Sequence, residues 1–179
     1  MPDIDILSFG ETMAMFVAEH GGDLAQVQHF HKRIAGADSN VAIGLARLGF
    51  KVAWLSRVGN DSLGRFVLDT LRAEGLDCRF VRCDPIHPTG FQLKSREDGG
   101  DDPRVEYFRR GSAASHLAIG DVDPALLRAR HLHATGIPPA LSDSARELSG
   151  HLMHTQRSAG HSVSFDPCLL YTSPSPRDS

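Results

Sequence analysis

The stretch AGADSNVAIGLARLG, residues 35–49, decides how this chain folds. It opens with small residues, and the side chain of Asp38 or Ser39 is expected to cap the helix that follows. Three apolar residues then recur at i, i+4 and i+7 spacing, which places them on one helix face. Gly49 stands where a C-terminal cap belongs. The stretch therefore predicts an amphipathic helix that ends at Gly49.

Short apolar segments on either side of this helix predict buried strands. Residues 4–9 precede it and residues 52–58 follow it. Asp61 is expected to cap a second helix that stops at Gly75, and a third strand is expected near residues 77–82. Helices that connect successive strands imply a mostly parallel sheet with helices on both faces. The pattern indicates an α/β fold.

The same rhythm returns in the last third of the chain. Residues 132–136 and 162–166 are predicted to be further strands of the sheet. Ser142 or Ser144 is expected to cap the helix between them.

Four other segments also favour strands, and the last two of them break this rhythm. Residues 13–17 favour a strand, and residues 26–34 alternate weakly, as an exposed strand does. Residues 89–96 and 104–110 are strand-like and are joined by an acidic loop rich in turn residues. We therefore expect a hairpin inserted into the α/β frame.

Composition excludes several classes of protein. The chain has 179 residues, of which 41% are hydrophobic, and a formal net charge of −3. Such values exclude collagen, coiled coil and disordered chains, and the near-balanced charge argues against a dedicated nucleic-acid binder. No apolar run reaches the roughly 18 residues of a membrane helix. No signal peptide is visible, and three cysteines are too few for a disulfide framework, so a cytoplasmic location is expected.

Four segments of the chain form a set of motifs in a fixed order. They are Gly10-Glu11-Thr12-Met13, residues 35–42 with 45–49, residues 58–64 and residues 107–113. Together they resemble the ribokinase-like (PfkB) family of sugar kinases, and the first and last are most similar to the branch that acts on 2-keto-3-deoxygluconate. The resemblance covers residues 3 to about 167. It implies a Rossmann-type parallel sheet covered by a small β-sheet lid, with lid strands within about 12–34 and 88–110 of a domain spanning 1–167.

The resemblance also implies six residues that bind the sugar. Gly36 would let a hydroxyl approach its backbone N–H, although a plain turn glycine is the alternative. Asp38 and Asn40 offer polar groups to a polyol, and capping of the helix is the alternative for both. The full set is Gly36, Asp38, Asn40, Gln92, Tyr107 and Arg109.

Two of these residues indicate which sugar is bound. Tyr107 and Arg109 alternate along a predicted strand and therefore face the same side, unless they are ordinary surface residues of the hairpin. An arginine fork pairs well with a carboxylate, which 2-keto-3-deoxygluconate has and ribose and fructose lack. Many ribose and fructose kinases of the family carry an aspartate five residues after the glycine of the first strand. This chain has Met15 there, which is more similar to the sugar-acid branch.

The activity that the resemblance implies is phosphoryl transfer from ATP, with Mg²⁺, to a sugar hydroxyl. In the family the catalytic base and a Gly-Ala-Gly-Asp-like anion cradle lie in the C-terminal half, and these 179 residues contain no such motif. We therefore assign no catalytic, cofactor-binding or metal-binding residue to this chain. We expect a C-terminally truncated and inactive N-terminal fragment, whose residues 168–179, with repeated Ser-Pro, form a non-native tail.

Other interpretations stay open at this point. The chain could derive from a fructokinase, ribokinase or nucleoside kinase of the same family, or it could be a non-catalytic module that binds a sugar acid. The expected partner is a small-molecule sugar acid, with neither nucleic acid nor membrane as partner. Lid-to-lid homodimers are usual in the family, so the resemblance implies a homodimer through the lid.

Overall fold

The computed structural model describes residues 4–97 and 102–168. Nine strands and four α-helices are found in these ranges, with short 3₁₀ turns between some of them. In chain order they are β1 (Ile6–Phe9), β2 (Met13–Ala18), β3 (Phe30–Ala35), α1 (Ala37–Arg47), β4 (Val52–Gly59), α2 (Ser62–Ala73), β5 (Val81–Asp84), β6 (Phe91–Lys94), β7 (Val105–Phe108), β8 (His131–Thr135), α3 (Ile137–Leu141), α4 (Asp143–Ser158) and β9 (Ser162–Asp166).

The main sheet has five strands in the order β5-β4-β1-β8-β9, and every neighbouring pair is parallel. Helices cover both faces. Leu7, Leu132 and Leu148 belong to the core on the α4 side, and Trp54 and Leu71 belong to the core on the side of α1 and α2. The predicted parallel α/β sheet is confirmed, since side chains that alternate along β1 are buried against helices on both sides.

A second sheet of four strands, in the order β3-β2-β6-β7, forms the lid. β6 and β7 pair antiparallel, as the predicted hairpin requires, and β2 joins β6 in parallel. On one face of this sheet the rings of Phe91 and Phe108 stack with centroids 4.6 Å apart, and Phe16 meets Phe91 edge-on at 6.1 Å. Such pairs stabilise the association of the strands beyond the area that they bury.

Two predicted helix caps are confirmed. The Asp61 carboxylate accepts a hydrogen bond from the backbone N–H of Gly64 at 2.7 Å, and Ser142 Oγ accepts one from Ala145 at 3.1 Å. α1 and α2 end where glycines were expected to stop them. Gly49 and Gly75 have φ of +92° and +86°, in the left-handed region that favours glycine.

Two local predictions are wrong. Asp38 and Ser39 do not cap α1, because the helix already begins at Ala37 with Gly36 as N-cap, and the Asp38 side chain turns inward instead. The strand expected over residues 77–82 is displaced to β5, because Asp77 makes only an isolated bridge to Ala53. The carboxylate of Asp77 then binds the backbone N–H of Arg79, which turns the chain away from the sheet.

The predicted tail from Cys168 onward lies outside the described residues except for Cys168 itself. Among the helices of the described ranges, none has the length and apolar character needed to cross a bilayer.

Candidate functional site

Polar side chains collect where three strands of the main sheet end at their carboxyl side. Gly10 follows β1, Thr135 ends β8 and Asp166 ends β9, and Asp38 lies beside them in the first turn of α1. In open parallel sheets, ligands bind beyond the carboxyl ends of the strands. This edge of the sheet is therefore the candidate site.

Asp38 is the most unusual group of the site. Its side chain is fully buried, and neither carboxylate oxygen forms a hydrogen bond within the described part of the chain. Burial raises the pKa of Asp38 to about 6, while the Thr135 side chain and the positive charge of Arg109 act to lower it and the charge of Asp166 acts to raise it. Buried polar groups are almost always hydrogen-bonded, so an unpaired carboxylate indicates a position that a polar ligand completes.

The space for Asp38 depends on Gly10. A Cβ atom at Gly10 would lie 2.5 Å from Asp38 Oδ2, and Gly10 has φ of +148°, which side-chain-bearing residues rarely adopt. Glycine adopts it at little cost. The glycine therefore both turns the chain out of β1 and leaves room for the carboxylate.

Glu11, the next residue, is a second buried carboxylate, and it is fully paired. Its Oε2 accepts a hydrogen bond from Arg109 Nε at 2.7 Å and forms an ion-pair contact with Nη2 at 2.6 Å. Its Oε1 accepts a hydrogen bond from Ser112 Oγ at 2.5 Å. A Cβ atom at Gly90 would lie 2.6 Å from Oε1. Sequence reasoning used Glu11 within a motif but did not select it as a site residue. The signal was an acidic side chain directly after a strand-ending glycine.

Three of the predicted residues lie on one face of the lid. Gln92 pairs in register with Tyr107, and Met15 pairs with Gln92, so the three side chains share a face. Arg109 continues this face, since it lies opposite Gly90 of the neighbouring strand. A Cβ atom placed at Gly90 would be 3.4 Å from the Cβ atom of Arg109. Gln92 is buried, whereas Tyr107 is 53% exposed. The structure thus brings Gln92, Tyr107 and Arg109 together, and the charge of Arg109 reaches Asp38.

Gly36 and Asn40 have different surroundings. A Cβ atom at Gly36 would lie 2.5 Å from the carbonyl oxygen of Glu11, so a glycine is needed there for the packing of α1 against the end of β1. Asn40 is exposed, and it lines a groove with Lys32 and Phe66 on the outer side of α1. Two positions along a helix correspond to about 200°, which places Asn40 on the face opposite Asp38. The structure does not bring Asn40 together with the other predicted residues.

Thr135, Asp166 and Ser112 are site residues that sequence reasoning missed. The first two were visible as polar residues at the ends of predicted strands, but nothing in the sequence indicated that the two ends meet beside Asp38. Within residues 4–97 and 102–168 no three His, Cys, Asp or Glu side chains form a group that could hold a metal ion. The arrangement can offer an acceptor at Asp38 and a cationic donor at Arg109 to one ligand.

Comparison with known proteins relates the chain to carbohydrate kinases. The profile of the pfkB family of carbohydrate kinases matches residues 3–179. The chain is 49% identical to the 2-dehydro-3-deoxygluconokinase of Bacillus subtilis, over 92% of this chain and 51% of that protein. It therefore spans about half the length of this curated relative.

Solved structures agree with the sequence relatives. A PfkB protein from Polaromonas has a TM-score of 0.89 and 52% identity, over 96% of this chain and 59% of that one. A sugar kinase from Pyrococcus horikoshii, solved in complex with ATP, has a TM-score of 0.81 and 26% identity, over 92% of this chain and 53% of that one.

Proposed function

This chain belongs to the pfkB family of carbohydrate kinases, and from this premise we propose that it is the N-terminal part of an ATP-dependent kinase of 2-keto-3-deoxygluconate. The complete enzyme would transfer the γ-phosphate of ATP to the sugar acid and release its 6-phosphate. The identity of 49% with a 2-dehydro-3-deoxygluconokinase supports this substrate. The names 2-dehydro-3-deoxygluconate and 2-keto-3-deoxygluconate denote the same compound. The chain by itself would bind the sugar acid without phosphorylating it.

The observation that carries the proposal is the pairing of a partly free arginine with an unpaired buried carboxylate. Nη1 of Arg109 forms no hydrogen bond among the described residues, and Arg109 belongs to the lid face that also carries Gln92 and Tyr107. A guanidinium binds a carboxylate with charge-assisted hydrogen bonds. Asp38, mostly ionised at pH 7 with a pKa of about 6, can accept hydrogen bonds from hydroxyl groups. A sugar acid satisfies both groups, whereas a neutral sugar offers no carboxylate to Nη1 of Arg109.

The remaining predicted residues would complete the pocket. The Gln92 amide and the Tyr107 hydroxyl would contact further hydroxyls from the lid, and the backbone N–H of Gly36 would do so from the start of α1. Asn40, on the opposite face of α1, would contribute only from outside this cluster.

ATP and Mg²⁺ do not fit the described part of this chain. Phosphoryl transfer needs donors for the phosphate charge, a base for the hydroxyl proton and oxygen ligands for the metal. The described residues contain no cluster suited to a metal ion, and the 179 residues contain no Gly-Ala-Gly-Asp motif. We therefore assign ATP, Mg²⁺ and the base to a part of the protein outside this chain. The role of residues 1–167 is to bind and orient the sugar acid.

The proposal includes a cytoplasmic location for the complete enzyme. Its use of ATP as co-substrate supports this location.

The proposal also includes a homodimer. The stacked Phe91 and Phe108 form an apolar surface of the lid, where Phe108 is 47% exposed. This surface supports a homodimer of the complete protein through the lid.

Calorimetric titration of the chain without ATP tests the substrate. We expect 2-keto-3-deoxygluconate to bind more tightly than fructose, a neutral sugar of the same carbon number. Arg109→Ala should weaken binding of the sugar acid roughly 10- to 100-fold, the value of hydrogen bonds to a charged group. Arg110→Ala is the matched control, because the exposed Arg110 follows directly and alternates to the other face. The same titration with Asn40→Ala tests that residue.

Equal affinity for both sugars, or an equal effect of the two arginine substitutions, would argue against a sugar-acid substrate. ATP-dependent phosphorylation by the chain alone, above a blank without protein, would contradict the assignment of the catalytic half elsewhere.

A further inference from the structure

Glu11 is buried, with only 2% of the residue exposed, and each of its carboxylate oxygens has a polar partner. Arg109 donates to Oε2 through Nε and makes an ion-pair contact with it through Nη2, and Ser112 donates to Oε1. Glu11 comes from the turn after β1 in the main sheet, and both donors follow the last strand of the lid. The carboxylate therefore joins the lid to the core at the candidate site.

The backbone around Glu11 is packed to hold this arrangement. A side chain at Gly90 would collide with Oε1, and one at Gly36 would collide with the Glu11 carbonyl oxygen, at 2.6 and 2.5 Å from their Cβ positions. The Glu11 carboxylate consequently has little room to move away from Arg109. An arginine that is fixed before its ligand arrives loses less conformational entropy on binding.

Arg109 has a second buried carboxylate within its electrostatic reach. Asp38 is faced by Arg109 from the lid, by Asp166 from β9 and by Thr135 from β8, whose side chain is close enough to lower its pKa. Neither carboxylate oxygen has a partner at full hydrogen-bond geometry within the described ranges. Without the negative charge of Glu11, the guanidinium would be drawn to Asp38, the uncompensated charge. Such a pair would occupy both the cation for a substrate carboxylate and the acceptor for a substrate hydroxyl.

We infer that Glu11 is a positioning residue that keeps Arg109 away from Asp38, so that both groups stay available to a sugar acid. The inference rests on the proposed function for its ligand, but the competition between the two carboxylates is a property of this chain alone. Glu11 occupies one edge of the guanidinium and presents Nη1 to the site. It thereby determines the preference for an acidic sugar without touching the sugar.

The test uses the whole chain and the variant Glu11→Gln, which keeps the shape and the bond with Ser112 but removes the charge. The first readout is the titration of the Asp38 carboxyl carbon by NMR. We expect its midpoint to fall by about one pH unit or more in the variant, because a cation then pairs with it. If Arg109 stays in place in the variant, loss of the Glu11 charge by itself lowers the midpoint by only a small fraction of this amount.

The second readout is calorimetric binding of 2-keto-3-deoxygluconate and of fructose. Glu11→Gln should weaken binding of the sugar acid roughly three- to tenfold, the cost of immobilising one long side chain, with a smaller effect on fructose. Glu97→Gln is the matched control, since this exposed lid carboxylate also accepts a serine hydroxyl, that of Ser95 at 2.7 Å. The control should change neither readout.

The outcomes separate the inference from the proposed function. An unchanged Asp38 midpoint together with unchanged binding in Glu11→Gln overturns the inference and leaves the proposed function intact. Failure of the unaltered chain to prefer the sugar acid overturns the proposed function, and the Asp38 midpoint then decides the inference alone. If Glu11→Gln does not fold, Ser112→Ala replaces it. This variant keeps the charge but frees Oε1, and it should change both readouts in the same direction by less. If neither readout changes in Ser112→Ala, the inference is overturned.

Discussion

Replacing Asp38 by asparagine should stabilise the chain at neutral pH, and the size of the effect follows from its burial. The folded chain holds the pKa of this carboxyl at about 6, against 3.8 for an exposed one, because burial penalises the charged form. Because the pKa is higher by about 2 in the folded chain, ionisation of Asp38 lowers the free energy of unfolding by roughly 3 kcal/mol. The native state binds more protons than the unfolded state between these two values, so stability is lost as the pH rises through this range. The asparagine side chain of the variant does not titrate and avoids that loss.

Urea denaturation of both proteins from pH 3.5 to pH 8 measures the effect. The free energy of unfolding of Asp38→Asn minus that of the unaltered chain should increase between pH 4 and 6 by roughly 3 kcal/mol and then stay constant. Other titrating groups are common to both proteins and cancel in this difference. A difference that does not change with pH, or that decreases as the pH rises, would refute the reasoning that the Asp38 carboxylate is buried without a partner.

Three other substitutions test the packing around the site, each by urea denaturation. Gly90→Ala should cost about 1–3 kcal/mol, because the new Cβ would lie 2.6 Å from Glu11 Oε1, and an unchanged midpoint would contradict that close approach. Leu7→Ala, in the fully buried centre of β1, should cost about 2–5 kcal/mol. A loss below about 1 kcal/mol would mean that β1 is not central. Asp61→Ala should cost about 0.5–2 kcal/mol at pH 7 through loss of the helix cap. Burial by itself would raise the pKa of Asp61, but hydrogen bonds from Thr89 and Gly64 outweigh burial, so the pKa is lowered. The loss should therefore shrink as the pH falls below the ordinary value of 3.8, opposite in sign to Asp38, and a pH-independent loss would exclude a charged cap.

Local patterns in the sequence determined most of the fold. Apolar runs with turn residues at their ends predicted the strands of the main sheet, and Asp61 and Ser142 marked the starts of two helices correctly. These signals depend on residues within one or two turns of each other, so they can be found without knowing what packs against them. The motifs that resemble the PfkB family added the lid, which the β6–β7 hairpin confirms.

Predictions failed where a local signal competed with a more distant partner. Asp38 has the residue type and position of a helix cap, but the fold places its side chain inward beside Thr135 instead of at the helix N–H groups. The predicted strand at residues 77–82 has a suitable composition, yet the turn formed by Asp77 and Arg79 delays pairing until Val81. Asn40 belongs to the same motif as Asp38, and only the helical geometry shows that the two point to opposite sides.

The sequence by itself determined most of the elements that form, and its resemblance to the family predicted Arg109 as a sugar-binding residue. Only the tertiary structure decided that Arg109 meets Glu11, which lies 98 positions earlier in the chain, and that its charge also acts on Asp38. The physical reason is that electrostatic and hydrogen-bond interactions depend on distance in space, and that distance is set by how the lid packs over the end of the main sheet. A pattern along the chain predicts a strand or a helix, but it does not show which buried charges will share one cation.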